Sequence, residues 1–330
     1  MSPKHTPDSV LGMSWSIQKD RLLLTGAELD IFTMLTPSPL SAEEVTEKLE
    51  GNLRGVTIFL DALTAMGLLT KQGGRYQTEA SAASLLSANE PGSVLPMVKH
   101  AAHLWQSWSR LTDIVRDKAT REETEGAKRD MDSLKAFIGA MDAIGSRFAP
   151  KVVAAIEPGN AKAMIDVGGG CGTYTLAFIE AAPQIKATLF DLPPVIEMAR
   201  EYVEKAGMLD RVTLVPGDFY KDELPSGHDL AFVSAIIHQN SLKQNLDLYQ
   251  KIFRSLDSGG RIVIRDHVMD PDRTNPEDGA IFAVNMLVNT TGGGTWTYDE
   301  IHQGLTTAGF TRIKQLQFEG MFSLVEAFKP

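Results

Sequence analysis

The chain has 330 residues, 43% hydrophobic and 22% charged, the composition of an ordinary soluble protein long enough for two domains. A formal net charge of -10 argues against a nucleic-acid polyanion as partner and favours small neutral or cationic ligands. The single cysteine, Cys171, excludes an intramolecular disulfide and a thiolate zinc cluster, so no metal is expected and a reducing, cytoplasmic setting is.

The chain start, with Lys4 and His5, lacks a signal-peptide core, and the longest apolar run, Leu230 to Ile237, is strand-sized; neither export nor a membrane is expected. Leu22, Leu23, Leu24, Leu29, Ile31 and Phe32 then give an apolar helical face with no obvious partner in its own segment, the kind that packs in a dimer. Ser41 and Glu44 form a capping box that opens a helix ending near Gly51. Val56, Phe59, Leu60 and Leu63 mark a second helix, and Leu68 to Thr70, Gly73-Gly74 and Tyr76 to Thr78 read as a hairpin. Two helices and a hairpin make a winged helix. Its charges, Glu43, Glu44, Glu47, Glu50 and Asp61 against Lys48, Arg54, Lys71 and Arg75, are wrong for a phosphate-facing module. A dimerisation or lid element is expected instead.

Lys118 to Asp132 is strongly charged, with Arg121, Glu122, Glu123, Glu125, Lys128 and Arg129, and reads as a solvated helix end or loop. Helical spacing resumes at Leu134, Phe137, Met141, Ile144 and Phe148 and runs past Pro150 to Ile156, where Glu157-Pro158-Gly159-Asn160 turns. Strands follow at Ala163 to Val167, Lys186 to Phe190, Val212 to Val215, Leu230 to Ser234 and Arg261 to Arg265; two late runs, Ile313 to Phe318 and Phe322 to Phe328, can add an antiparallel edge. The expectation is an α/β protein: a helical winged-helix domain over residues 1–156, then a doubly wound, mostly parallel seven-stranded sheet over 157–330.

The first of those strands runs into Asp166-Val167-Gly168-Gly169-Gly170-Cys171-Gly172 and a helix from Thr173. Glycines there let a flat ligand approach the backbone and its free N–H groups. Asp191 ends the second strand, where a carboxylate can accept both ribose hydroxyls, and Gly217-Asp218-Phe219 follows the third, within reach of an adenine edge. The spacing G-x-G-x-G departs from the dinucleotide G-x-G-x-x-G, which favours a nucleoside cofactor without phosphates. This order of glycine loop, ribose acid and adenine acid resembles the S-adenosylmethionine-dependent methyltransferase fold. Methyl transfer from a sulfonium needs no acid for the leaving thioether, but a phenolic acceptor gains from a base. His238 stands just beyond the fourth strand, on the rim that holds the glycine loop, and Asp266 ends the fifth, where it could fix the imidazole's tautomer. An ion pair of Asp266 with Arg265 or Arg261 is the competing reading; His267 should face away from Asp266.

From Asp166 onward the chain resembles the plant and bacterial small-molecule O-methyltransferases that include caffeate and hydroxyindole O-methyltransferases. The matches are D-V-G-G-G-C-G, F-D-L-P (Phe190 to Pro193), G-D-F (Gly217 to Phe219), I-I-H (Ile236 to His238) and S-G-G-R-I-V-I-R-D (Ser258 to Asp266). The winged-helix module resembles that family's dimerisation domain. The resemblance implies a homodimer that binds S-adenosylmethionine through Asp166, Gly168, Gly170, Asp191, Leu192, Asp218, Phe219 and Ser234, with His238 as base and Asp266 its orienter. Acceptor candidates by the same resemblance are Trp105, Trp108, Met141, Phe148, Asn285, Met286 and Asn289. Gln239 and Asn240 depart from the family's His-Asp-Trp, and a second supporting glutamate, expected between Gly292 and Thr297, is Thr295 or Trp296 here. O-methylation of an aromatic or polyketide-like hydroxyl is the expected reaction. Methylation of an N, S or C acceptor, a winged-helix regulator that senses the nucleoside, and a nicotinamide oxidoreductase are the alternatives.

Overall fold

Thr6 caps the first helix, Pro7–Glu28, and Ile31–Met34 follows. The structure, a computed structural model, describes residues 5–118, 131–316 and 322–330. Lys4, the charged stretch around Arg121 to Arg129, and Phe318 lie outside the described residues. The chain forms two compact units, Met1–Trp105 and Gln106–Pro330.

In the first unit the Ser41–Glu44 capping box opens Ala42–Leu49, and Asn52 caps Leu53–Ala65. Three short strands, β1 (Leu40–Ser41), β2 (Leu69–Gln72) and β3 (Arg75–Thr78), pair antiparallel in the order β1-β3-β2, completing a winged helix. Gly73 and Gly74 turn the β2–β3 hairpin with φ of 56° and 78°, left-handed values that glycine adopts without strain. The apolar face expected to seek a dimer partner is mostly satisfied here: Ile31 and Phe32 are fully buried with Val45, Val56, Leu60 and Leu63. Exposed apolar side chains lie earlier on the first helix, at Val10, Leu11, Met13, Trp15 and Ile17.

The second unit holds a sheet of seven strands: β4 (Ala163–Val167), β5 (Lys186–Asp191), β6 (Val212–Pro216), β7 (His228–Ser234), β8 (Leu256–Asp266), β11 (Thr311–Leu316) and β12 (Ser323–Phe328). A small pair, β9 (Val268–Met269) and β10 (Trp296–Thr297), lies apart. The order is β11-β12-β8-β7-β4-β5-β6, parallel from β8 to β6, with β12 and β11 as the expected antiparallel edge. Both faces are buried, so the strands read as unbroken apolar runs: Ile165, Ala231, Val233 and Ile264 join one core, Met164, Leu230, Phe232 and Val263 the other. The division by packing precedes the expected 156/157 boundary. Helix Met131–Ile156 buries Val152, Val153 and Ile156 against Met164 and Phe178, so its apolar face is spent on the sheet.

Candidate active site

Parallel strands bring the ends of β4 to β8 to one rim, the carboxyl edge where a doubly wound sheet binds its ligand. Beyond β4, Gly168, Gly170 and Gly172 have φ of 72°, 58° and 89°, all left-handed. A Cβ at Gly168 would meet Ile236 Cδ1 at 2.5 Å, whereas one at Gly170 would meet nothing within 4 Å, so the loop's outer side is open to close approach. Asp191 draws the loop to β5: its Oδ2 accepts from Gly170 N at 2.8 Å and its Oδ1 from Leu192 N at 2.7 Å. Burial raises its pKa, and those two N–H groups pull the other way. The ring of Phe219 lies 3.8 Å from where a Gly168 Cβ would stand, so Phe219 closes one side of the loop. Asp218 accepts from Tyr220 N and pairs with Lys221 at 2.9 Å.

Asp166 differs from its neighbours. Its carboxyl lies beneath the loop rather than outside it, 2% exposed, accepting from Thr175 Oγ1 at 2.7 Å. A Cβ on Gly169 would come within 2.9 Å of Asp166 Cγ, so the carboxyl supports the loop from below. Burial pushes its pKa up to about 7. The folded state therefore binds a proton that the unfolded chain has lost, and Asp166 costs stability as pH rises from about 4 to about 7. Asp166→Asn keeps the acceptor for Thr175 without the charge. Its melting temperature is expected to gain on wild type across that interval in calorimetric scans, and a constant difference would contradict the reading.

At the end of β8, Asp266 is fully buried and accepts from His238 Nδ1 at 2.8 Å, His267 N at 2.8 Å and His238 N at 3.4 Å. Burial alone would raise this carboxyl, but the adjacent His238 imidazole and the His267 N–H together hold it below the usual carboxylate range. The competing ion pairs do not form: Arg261 binds Glu326 at 2.7 Å, and strand alternation turns Arg265 to the other face. The Nδ1 bond assigns the proton to that nitrogen and leaves Nε2 with a free lone pair.

The backbone around His238 is pinned from behind. Ile237 O accepts from Asn245 Nδ2 at 2.9 Å and Trp296 Nε1 at 2.8 Å, and His238 O accepts from Gly294 N at 2.8 Å. Asn240 donates to Asn245 and accepts from the Tyr220 hydroxyl. The glycine-rich segment in which a second glutamate was expected thus braces His238 through its backbone.

Phe282, on helix Glu277–Asn289, packs its ring edge-on to His238 at 4.9 Å between centroids. It was missed in the sequence because its helix has no motif beside it. Asn285, one turn on, accepts from Trp108 Nε1 at 3.0 Å and from Asn289 Nδ2 at 2.9 Å. Met286 is buried on the same helix, so three expected acceptor residues, Asn285, Met286 and Asn289, share the helix of Phe282, and a fourth, Trp108, bonds to it. Trp105 falls in the first unit, its ring 5.7 Å from Arg21. Met141 is half-buried, while Phe148, at 39% exposed, stands outside the core because its stretch of helix turns to solvent. Leu192, 45% exposed, caps helix Pro193–Lys205, and Ser234 Oγ accepts from Arg265 Nη1 at 3.1 Å. Cys171 is a buried thiol raised to about 12, packed with Ile138 and Val195.

A family model of the O-methyltransferase domain matches residues 108–311, and one of the O-methyltransferase dimerisation domain matches residues 17–88. The chain belongs to the O-methyltransferase family. This methyltransferase is 30% identical to the tetracenomycin polyketide synthesis 8-O-methyl transferase TcmO of Streptomyces glaucescens, over 98% of this chain and 97% of that one. It is also 30% identical to 3-hydroxy-5-methyl-1-naphthoate 3-O-methyltransferase of Streptomyces sahachiroi, over 94% and 92%. The crystal structure of human N-acetylserotonin methyltransferase in complex with SAM superposes with a TM-score of 0.86 at 25% identity, covering 100% of this chain and 99% of that one. The methyl donor of the enzyme is S-adenosylmethionine. The open backbone at Gly170 and the carboxylate of Asp191 fit a nucleoside donor with vicinal hydroxyls. Among the described residues no helix is long and apolar enough to cross a membrane.

Proposed function

We propose that the enzyme methylates a hydroxyl of an aromatic or polyketide-type small molecule, with His238 as general base and Asp266 as the group that orients it. One observation carries the assignment: the fully buried carboxyl of Asp266 accepts from His238 Nδ1 at 2.8 Å, which leaves Nε2 as the ring nitrogen that would take a proton. S-adenosylmethionine, when bound, supplies a methyl group on a sulfonium whose thioether leaves without acid. His238 takes the hydroxyl proton at Nε2 as the new bond forms, and Asp266 stabilises the imidazolium. An amine acceptor needs no such base once it is neutral, so the dyad favours a hydroxyl. Gly168, Gly170, Asp191, Leu192, Asp218 and Phe219 would hold the donor, and Trp108, Asn285, Met286 and Asn289, the first, second and last of them joined by hydrogen bonds, would border the acceptor. Incubation with methyl-labelled donor and a panel of hydroxyarenes and matched arylamines tests the reading. Label is expected on oxygen, and label on the amines alone would refute it.

The homodimer belongs to the same reading. Val10, Met13, Trp15 and Ile17 are each at least half exposed on the first helix, the first three just before the segment matched by the dimerisation domain and Ile17 at its first residue. Wild type is expected to sediment as a dimer and Met13→Glu/Trp15→Glu as a folded monomer. An unchanged dimer would place the interface elsewhere.

A further inference from the structure

On the face of β8 opposite Asp266 lies a second polar group that the dyad does not use. Arg265 is 6% exposed, yet among the described residues no carboxylate lies within ion-pair distance of it. It donates through Nη1 to Ser234 Oγ at 3.1 Å, and among the described residues its Nε has no acceptor. The guanidinium carbon stands 4.2 Å from the ring centre of Phe322 and 5.2 Å from that of Tyr174. Among the described residues the buried hydroxyl of Tyr174 and both ring nitrogens of His267 likewise have no partner. Four residues earlier on the same strand, Arg261 shows how this fold treats a structural guanidinium: it binds Glu326 and the carbonyls of Ile156 and Glu157. Arg265 has no such set.

A buried guanidinium keeps its charge and pays for its lost hydration unless an anion meets it, and its planar fork matches a carboxylate with two parallel hydrogen bonds. Burial also depresses the pKa of His267 to about 4, so that ring is neutral and adds no competing positive charge near neutral pH. The surrounding rings run on to the dyad. Phe322 packs on His267 at 4.5 Å, His267 on Phe282 at 4.5 Å, and Phe282 on His238 at 4.9 Å.

We propose that Arg265 binds a carboxylate of the methyl acceptor, so that the acceptor class is an aromatic hydroxy acid. The inference rests on the hydroxyl-methylation reading above and narrows it. The donor's own α-carboxylate has the same chemistry; the ring path from Arg265 to His238 favours the acceptor's. Arg265 is a binding residue here, not a member of the base dyad.

The test uses the full-length enzyme with hydroxybenzoates and hydroxynaphthoates, their primary amides and the parent phenols, titrated calorimetrically with S-adenosylhomocysteine present. Wild type is expected to bind an acid about tenfold or more tighter than its amide. In Arg265→Leu the ratio falls to about one, the affinity for S-adenosylhomocysteine holds, and the melting temperature does not drop, because an unpaired buried charge has been replaced by an apolar side chain. Arg265→Lys keeps part of the preference, and with the wild-type comparison it decides the matter should the leucine variant fail to fold. Equal binding of acid and amide by wild type overturns the proposal, as does an Arg265→Leu variant that keeps the acid preference but loses S-adenosylhomocysteine tenfold, which would assign the carboxylate to the donor. Methylation of neutral phenols without acid preference removes this inference alone. Hydroxyarenes neither bound nor methylated, acid or neutral, remove the hydroxyl reading with it.

Discussion

His238→Gln is expected to lower kcat by about 10²–10⁴-fold, the usual worth of a positioned general base, while leaving the affinity for the methyl donor unchanged. Glutamine occupies a similar volume and can still accept from a hydroxyl, but it cannot take the proton away. The loss should shrink as pH rises toward the acceptor's own pKa, because an acceptor that is already ionised needs no base. Initial rates across pH with a phenolic acceptor, set beside donor binding by calorimetry, check both points. A variant within about threefold of wild type at neutral pH would remove the base from the account, since that is far below the factor a base contributes.

Asp266→Asn should cost a comparable factor by a different route. The carboxylate accepts three N–H groups, from His238 Nδ1, His267 N and His238 N, and asparagine has a single acceptor oxygen for them. The amide NH₂ then faces a donor, so the imidazole loses either its tautomer or its position, and the expected loss in kcat is about 10²–10⁴-fold. A buried donor left without an acceptor also costs about 1–3 kcal/mol of stability. Because the folded-state pKa of Asp266 is depressed, the stability it contributes is present above the ordinary carboxylate pKa of about 4 and is lost as pH falls through the lower folded value. The stability gap between wild type and Asp266→Asn should therefore be full at neutral pH and close in acid, which urea titrations at several pH values measure. A gap that widened in acid would contradict the assignment.

The rim was legible because its chemistry sits at strand ends, and strand ends are punctuated: glycines after β4, Asp191 at the end of β5, Gly217-Asp218 after β6 and His238 to Ser241 beyond β7. His238 and Asp266 lie far apart in sequence, and the parallel pairing of β7 with β8 is what brings them together. Periodicity could not supply the rest. Phe282 reaches His238 from a helix whose placement depends on packing rather than on any local signal. Arg265 was weighed as a partner for Asp266, yet adjacent residues on a strand face opposite ways, and only the filled environments of both faces reveal that one arginine is paired and the other is not. At the second helix the sequence pointed to Ile31 and Phe32 as part of an unpartnered face, because the winged-helix core that covers them includes residues 45–63. Asp166 reads like the other acids of the loop in sequence; only its hydrogen bond to Thr175 sets it beneath the glycines.

A crystal structure of the enzyme with S-adenosylhomocysteine and a methyl acceptor tests the central claim most directly. The account predicts the acceptor hydroxyl within hydrogen-bond distance of His238 Nε2, on the side that faces the donor sulfur, with His238 Nδ1 still on Asp266. A hydroxyl bound away from Nε2, or an imidazole rotated off Asp266 in that complex, would contradict it.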